Sequence, residues 1–65
     1  MRIMVNGEAV ELEARRLDAV LEELGHEAMA VATAVNGGFV PVARRAATDL
    51  APGDRDEVVS PRQGG

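Results

Sequence analysis

Arg16-Leu17-Asp18-Ala19-Val20-Leu21-Glu22-Glu23-Leu24-Gly25 is the stretch of this 65-residue chain on which the reading of the fold turns. Leu17, Val20, Leu21 and Leu24 stand at i, i+3, i+4 and i+7, so they form one stripe of an amphipathic helix. Gly25 follows directly, as the residue that takes the left-handed conformation ending a helix. Asp18 suits the positive N-terminal end of the helix dipole. Arg16 stands where Ser, Thr or Asp would cap better, and Glu22 and Glu23 oppose the dipole at the other end. A helix of about two to three turns is marginal in water and needs a surface to pack on.

Both flanks supply that surface, because the apolar period changes from helical to two. On the N-terminal side, Arg2 to Asn6 alternates with Ile3 and Val5 on one face. Asn6-Gly7 is a dipeptide suited to a type I′ turn, and Ala9 to Leu12 resumes the alternation with Val10 and Leu12. On the C-terminal side, His26 to Ala30 reads as a connection. Val31 to Asn36 then forms a third strand, with Val31, Thr33 and Val35 on one face and Ala32 and Ala34 on the other. Asn36-Gly37-Gly38 turns the chain into a short return strand at Phe39-Val40. Val-Asn-Gly occurs at both 5–7 and 35–37, and two hairpins built on the same turn residues suffice to explain it.

Pro41 to Asp49 shows no clean period. Arg44-Arg45 reads there as a solvated basic spot and Leu50 as an anchor under a long loop. Pro52-Gly53-Asp54 is a turn, and Asp54 to Ser60 gives the last strand with Val58 and Val59 as its apolar part. The order strand, strand, helix, strand, short strand, strand describes an α+β domain over residues 1–60. It has one helix laid across a mixed sheet of roughly four or five strands. The last strand is expected centrally, parallel to the first. One residue resists this scheme. If Val58 faces the helix, Asp56 shares that face, and burying an unpaired carboxylate costs several kcal/mol or forces its protonation. Three arrangements would avoid that cost: a strand that starts later, an exposed strand end, or an arginine such as Arg55 or Arg44 reaching the acid.

Ser60-Pro61-Arg62-Gln63-Gly64-Gly65 ends the chain in residues that cannot continue a strand. Residues 61–65 read as a thin, mobile arm tipped by the carboxylate of Gly65. That group is ionised at neutral pH and able to act as an oxygen nucleophile. Gly64 and Gly65 carry no Cβ, so the arm can thread a channel too narrow for other residues.

Composition excludes several function classes. A chain this small buries only about 60% of its unfolded surface and cannot enclose a deep catalytic pocket. With no cysteine and only His26 as histidine, there is no thiol nucleophile, no disulfide and no metal cluster in prospect. A net charge of −4, and Phe39 as sole aromatic, argue against nucleic acid as partner. The seven basic residues are all arginine, which fits a compositional bias. No apolar block is long enough for a signal peptide or a membrane span, so a cytoplasmic, membrane-free protein is expected. No acid–base pair, nucleophile–base pair or phosphate loop is visible, so an enzyme in its own right is not expected.

The ordering of elements with its Gly-Gly terminus resembles the ubiquitin-like β-grasp fold and, within it, the sulfur carrier proteins of thiamine biosynthesis. The resemblance covers essentially the whole chain. It is carried by Val5-Asn6-Gly7-Glu8, by Leu17 through Leu24-Gly25, and by Val31-Ala32-Thr33-Ala34-Val35-Asn36-Gly37 with Val40-Pro41. Leu50-Ala51-Pro52-Gly53-Asp54-Arg55, Glu57-Val58-Val59 and Gly64-Gly65 complete it. Three positions depart from the pattern: Asp56 stands for an apolar residue, Arg16 for a small hydroxyl cap, and Gly38 for an acid.

The resemblance implies a protein co-substrate rather than an enzyme. The Gly65 carboxylate would be adenylated by an E1-like adenylyltransferase using ATP, with no cofactor bound by the chain itself. Sulfur from a cysteine desulfurase would displace AMP to leave a thiocarboxylate, which thiazole synthase would accept. Docking would use the sheet face opposite the helix, with Met4, Phe39 and Val59 as candidates and Gly64 threading the partner's active site. The same fold and terminus also serve the small subunit of molybdopterin synthase and ubiquitin-like modifiers, which would be joined to other proteins through Gly65. A plain interaction domain, in which the two glycines are incidental, is the remaining alternative.

Overall fold

A computed structural model describes residues 1–60 of the chain. The proposed tail, residues 61–65 with Gly64 and Gly65, lies outside the described residues. Strand β1 (Arg2–Val5) turns into β2 (Glu8–Glu11), and helix α1 (Leu17–Glu23) follows. Strands β3 (Ala32–Val35) and β4 (Gly38–Val40) form a second hairpin, and β5 (Arg55–Val59) closes the fold. The sheet order is β2-β1-β5-β3-β4. As the sequence suggests, β5 is central and runs parallel to β1, while its other neighbour, β3, is antiparallel.

Both hairpins turn on the two-residue solution expected of Asn-Gly. Asn6 and Asn36 each have φ +51° and Gly7 and Gly37 each have φ +86°. Two successive positive φ values define the type I′ turn, whose twist matches that of the strands it joins. Register then places Ile3 opposite Val10, and Thr33 opposite both Val40 and Val58.

The helix lies on one face of this sheet. Leu17, Val20 and Leu21 are buried there, and Ile3, Leu12, Leu17, Val20 and Leu50 form a contiguous core. Leu50 is thus the anchor anticipated under the long loop. The missing side-chain cap is compensated by one tertiary and one local contact, since helix N-terminal N–H groups need acceptors. Leu17 N–H donates to Thr48 O at 3.0 Å, and the Asp18 carboxylate accepts from Ala19 N–H at 2.8 Å. Glu23, unfavourable by the dipole argument, has a use of its own. Its carboxylate accepts from the N–H groups of Glu13 and Ala14, tying the β2–α1 connection to the last helical turn.

Two expectations are corrected. Pro41 to Asp49 contains a 3-10 helix, Val42–Ala47, and Arg45 within it is buried rather than solvated. Its guanidinium donates to Ala28 O and Val31 O, each at 2.6 Å, and to Thr33 Oγ1 at 3.2 Å. Three well-placed acceptors satisfy the planar fork, so the cation is held by dipoles instead of a carboxylate.

Candidate functional site

Strand β5 leads to the C-terminal segment, and its sequence Arg55-Asp56-Glu57-Val58-Val59 alternates strictly between the two faces of the sheet. Asp56 and Val58 are buried on the helix side; Arg55, Glu57 and Val59 are exposed on the open side. Cross-strand partners share a face, so register identifies the rest of that open surface. Met4 lies opposite Arg55, Ala34 lies opposite both Glu57 and Phe39, and Ala32 lies opposite Val59.

The three docking candidates therefore meet on one surface. Met4, Phe39 and Val59 line a single shallow depression floored by Ala32 and Ala34. Phe39 is 71% and Val59 58% exposed, high values for large apolar side chains carried on a sheet. The small side chains of Ala32 and Ala34 keep part of the depression low, while Arg55 and Glu57, on the central strand beside them, add one charge of each sign to its lining. Arg55 and Glu57 were not among the sequence candidates. Strict alternation along β5 was the signal that could have found them.

Asp56 occupies the helix side, flanked by Val5 and Val35. It is 1% exposed, and among the described residues neither carboxylate oxygen has a hydrogen-bond partner. Among the described residues none of the three escapes from burial occurs: the strand starts at Arg55, the position is interior, and no arginine reaches it. Arg55 faces the opposite side, and Arg44 is exposed. Burial, with a smaller contribution from the Asp54 charge, pushes the Asp56 carboxyl up to about 6.

Two further residues act on β5 in a way that turn chemistry alone did not reveal. Asn6 accepts from Val58 N–H and donates from Nδ2 to Val58 O, both at 2.9 Å. Asn36 accepts from Arg55 N–H at 2.9 Å, and its Nδ2 donates to Asp54 Oδ1 at 3.2 Å. The repeated Val-Asn-Gly thus does more than turn two hairpins. Each asparagine grips one end of the strand between them.

Comparison with known proteins fits this architecture. The profile of the ThiS family matches residues 2–65, almost the entire chain. The chain belongs to the ThiS family. Its fold is similar to the crystal structure of a thiamine biosynthesis protein (ThiS) from Geobacter metallireducens, with a TM-score of 0.84 and 25% sequence identity over 100% of both chains. The ubiquitin-like β-grasp reading of the sheet and its single helix holds. No curated protein matches the chain. Membership of the ThiS family supports a sulfur carrier role in thiamine biosynthesis, with partners in sulfur transfer, rather than an enzymatic one. Among the described residues, no helix is long and apolar enough to cross a membrane.

Proposed function

We propose that this ThiS-family chain carries sulfur as a thiocarboxylate on Gly65 for formation of the thiazole ring of thiamine. The observation that carries the proposal is the family match over residues 2–65, a span that takes in Gly64-Gly65. A carboxylate is a poor electrophile until one oxygen becomes a good leaving group. An E1-like adenylyltransferase would supply that activation. The Gly65 carboxylate oxygen attacks the α-phosphorus of ATP, pyrophosphate leaves, and an acyl-adenylate forms. A persulfide sulfur, supplied through the partners by a cysteine desulfurase, would then attack the acyl carbon and expel AMP. A second thiolate would cleave the resulting acyl disulfide, leaving a disulfide on the donor side and the thiocarboxylate on Gly65. Thiazole synthase accepts the sulfur. ATP and the sulfur source are used by the partners, and the reaction belongs in the cytoplasm.

Docking through the open face follows the same reading. Met4, Phe39 and Val59 offer exposed apolar side chains in one depression, with Arg55 and Glu57 among them to fix the partner's orientation. Gly64 passes through the partner's narrow channel.

The test is intact mass after incubation with a thiamine-pathway adenylyltransferase, ATP and a sulfur source. A gain equal to one oxygen exchanged for one sulfur is expected, and deletion of Gly65 should abolish it. An unchanged mass with a competent enzyme overturns the proposal. Phe39→Ala should raise the apparent KM for the chain while leaving kcat nearly unchanged.

A further inference from the structure

The parallel pairing of β1 with β5 advances two residues at a time. Met4 N–H donates to Asp54 O and Asn6 N–H to Asp56 O, each at 2.9 Å. The next rung falls at Val58, but the backbone of β1 has already left the sheet, because Asn6 adopts φ +51° to start its turn. The side chain of Asn6 supplies that rung. Its carboxamide has the same donor and acceptor as a peptide unit, and it meets both the N–H and the C=O of Val58.

Within a strand, one residue's N–H and C=O point to the same edge. The polar groups of Val58 therefore face β1, and β3 on the other side cannot take them over. Val58 is one residue before the end of β5, and Val59 beside it belongs to the open face.

We infer that Asn6 is a positioning residue for the end of β5: its side chain completes the β1–β5 ladder at Val58 and holds the last two strand residues ready for docking. This inference rests on the carrier function proposed above. Without the carboxamide, Val58 and Val59 would keep only their pairing with β3, and the ordering cost of that looser strand end would appear as weaker apparent binding rather than slower chemistry.

Asn6→Gly tests it, because glycine keeps the positive φ of the turn and removes only the side chain. Asn36→Gly is the matched control. It is the same substitution in the same type of turn, gripping the opposite end of β5 at Arg55. Two readouts apply to the full-length protein: amide hydrogen exchange and steady-state kinetics with the adenylyltransferase. In Asn6→Gly, the Val58 amide should exchange about tenfold faster relative to those of Ile3 and Leu21, the effect of losing roughly one net hydrogen bond. The apparent KM should rise about tenfold with kcat changed by less than about twofold, and Asn36→Gly should leave KM close to wild type.

Unchanged exchange at Val58, an unchanged KM, or an equal rise in KM for both variants would overturn the inference, the last by showing a general stability effect. If the wild-type chain is not activated at all, the proposed function fails. The exchange contrast between the two variants then decides the clamp by itself.

Discussion

Arg45 and Asp56 are both buried on the helix side of the sheet, and the fold treats them in opposite ways. Arg45 reaches two backbone carbonyls and a threonine hydroxyl, so each bond to the cation replaces one lost from water. Asp56 has Val5 and Val35 beside it and, among the described residues, no partner for either oxygen. The difference teaches that burial alone does not set the cost of a charge. What decides is whether polar groups of the fold are already oriented towards it. Around Arg45 they are, because the Ala28–Ala30 turn and the start of β3 present their carbonyls inward. Around Asp56 the neighbouring backbone is spent on the β1–β5–β3 ladders, and only a shift towards the neutral form reduces the cost.

The sharpest way to break this comparison is to remove Arg45. Arg45→Met should lower unfolding stability by about 3–5 kcal/mol in urea titrations, since Ala28 O and Val31 O lose their donors inside the protein. Arg45→Lys keeps the charge but not the planar fork, and should still cost about 2 kcal/mol. A cost below about 0.5 kcal/mol for Arg45→Met, within the range of ordinary surface substitutions, would show that the buried cation is not the tie described here.

Asp56 sets a smaller effect with an unusual sign. Its carboxyl is raised from 3.8 to about 6, so between these values the folded state holds a proton that the unfolded state has released. Stability must then fall as pH rises through this window, reaching a loss of about 3 kcal/mol above it. Below the lower value both states are protonated and the penalty vanishes. Thermal or urea unfolding across the window should show the decline. Asp56→Val should abolish it and stabilise the protein at neutral pH by a similar amount. A flat profile in the wild type would refute the unpaired burial. Asp56→Asn should also remove the pH dependence, but with a smaller gain, because a buried amide without partners remains.

Asp18 provides the smallest contrast, and its sign is reversed. Hydrogen bonding to Arg16 holds this surface carboxyl below its ordinary value. Its contribution is present above the unfolded value and lost as pH falls through the folded one. In Asp18→Asn the change should be slight and should fade further at high salt, since exposed pairs are screened.

The order of elements was legible in the residues because the information is local. A helical stripe at Leu17, Val20, Leu21 and Leu24, strict alternation on either side of it, and two Asn-Gly turns fix what each segment does without reference to the others. The α+β class, the central last strand and the open-face cluster of Met4, Phe39 and Val59 follow from that pattern and the family resemblance. The 3-10 helix at Val42–Ala47 left no such trace, as its residues carry no amphipathic period. Only the tertiary structure decided that Arg45 is buried while Arg44 is exposed, that Asp56 has no partner among the described residues, and that Asn6 grips Val58 from 52 residues away. The physical reason is the same in each case. Whether a polar side chain finds a partner depends on which backbone N–H and C=O groups distant segments leave free beside it, and every residue carries those groups alike, so the outcome is written in the fold and not in the neighbouring letters.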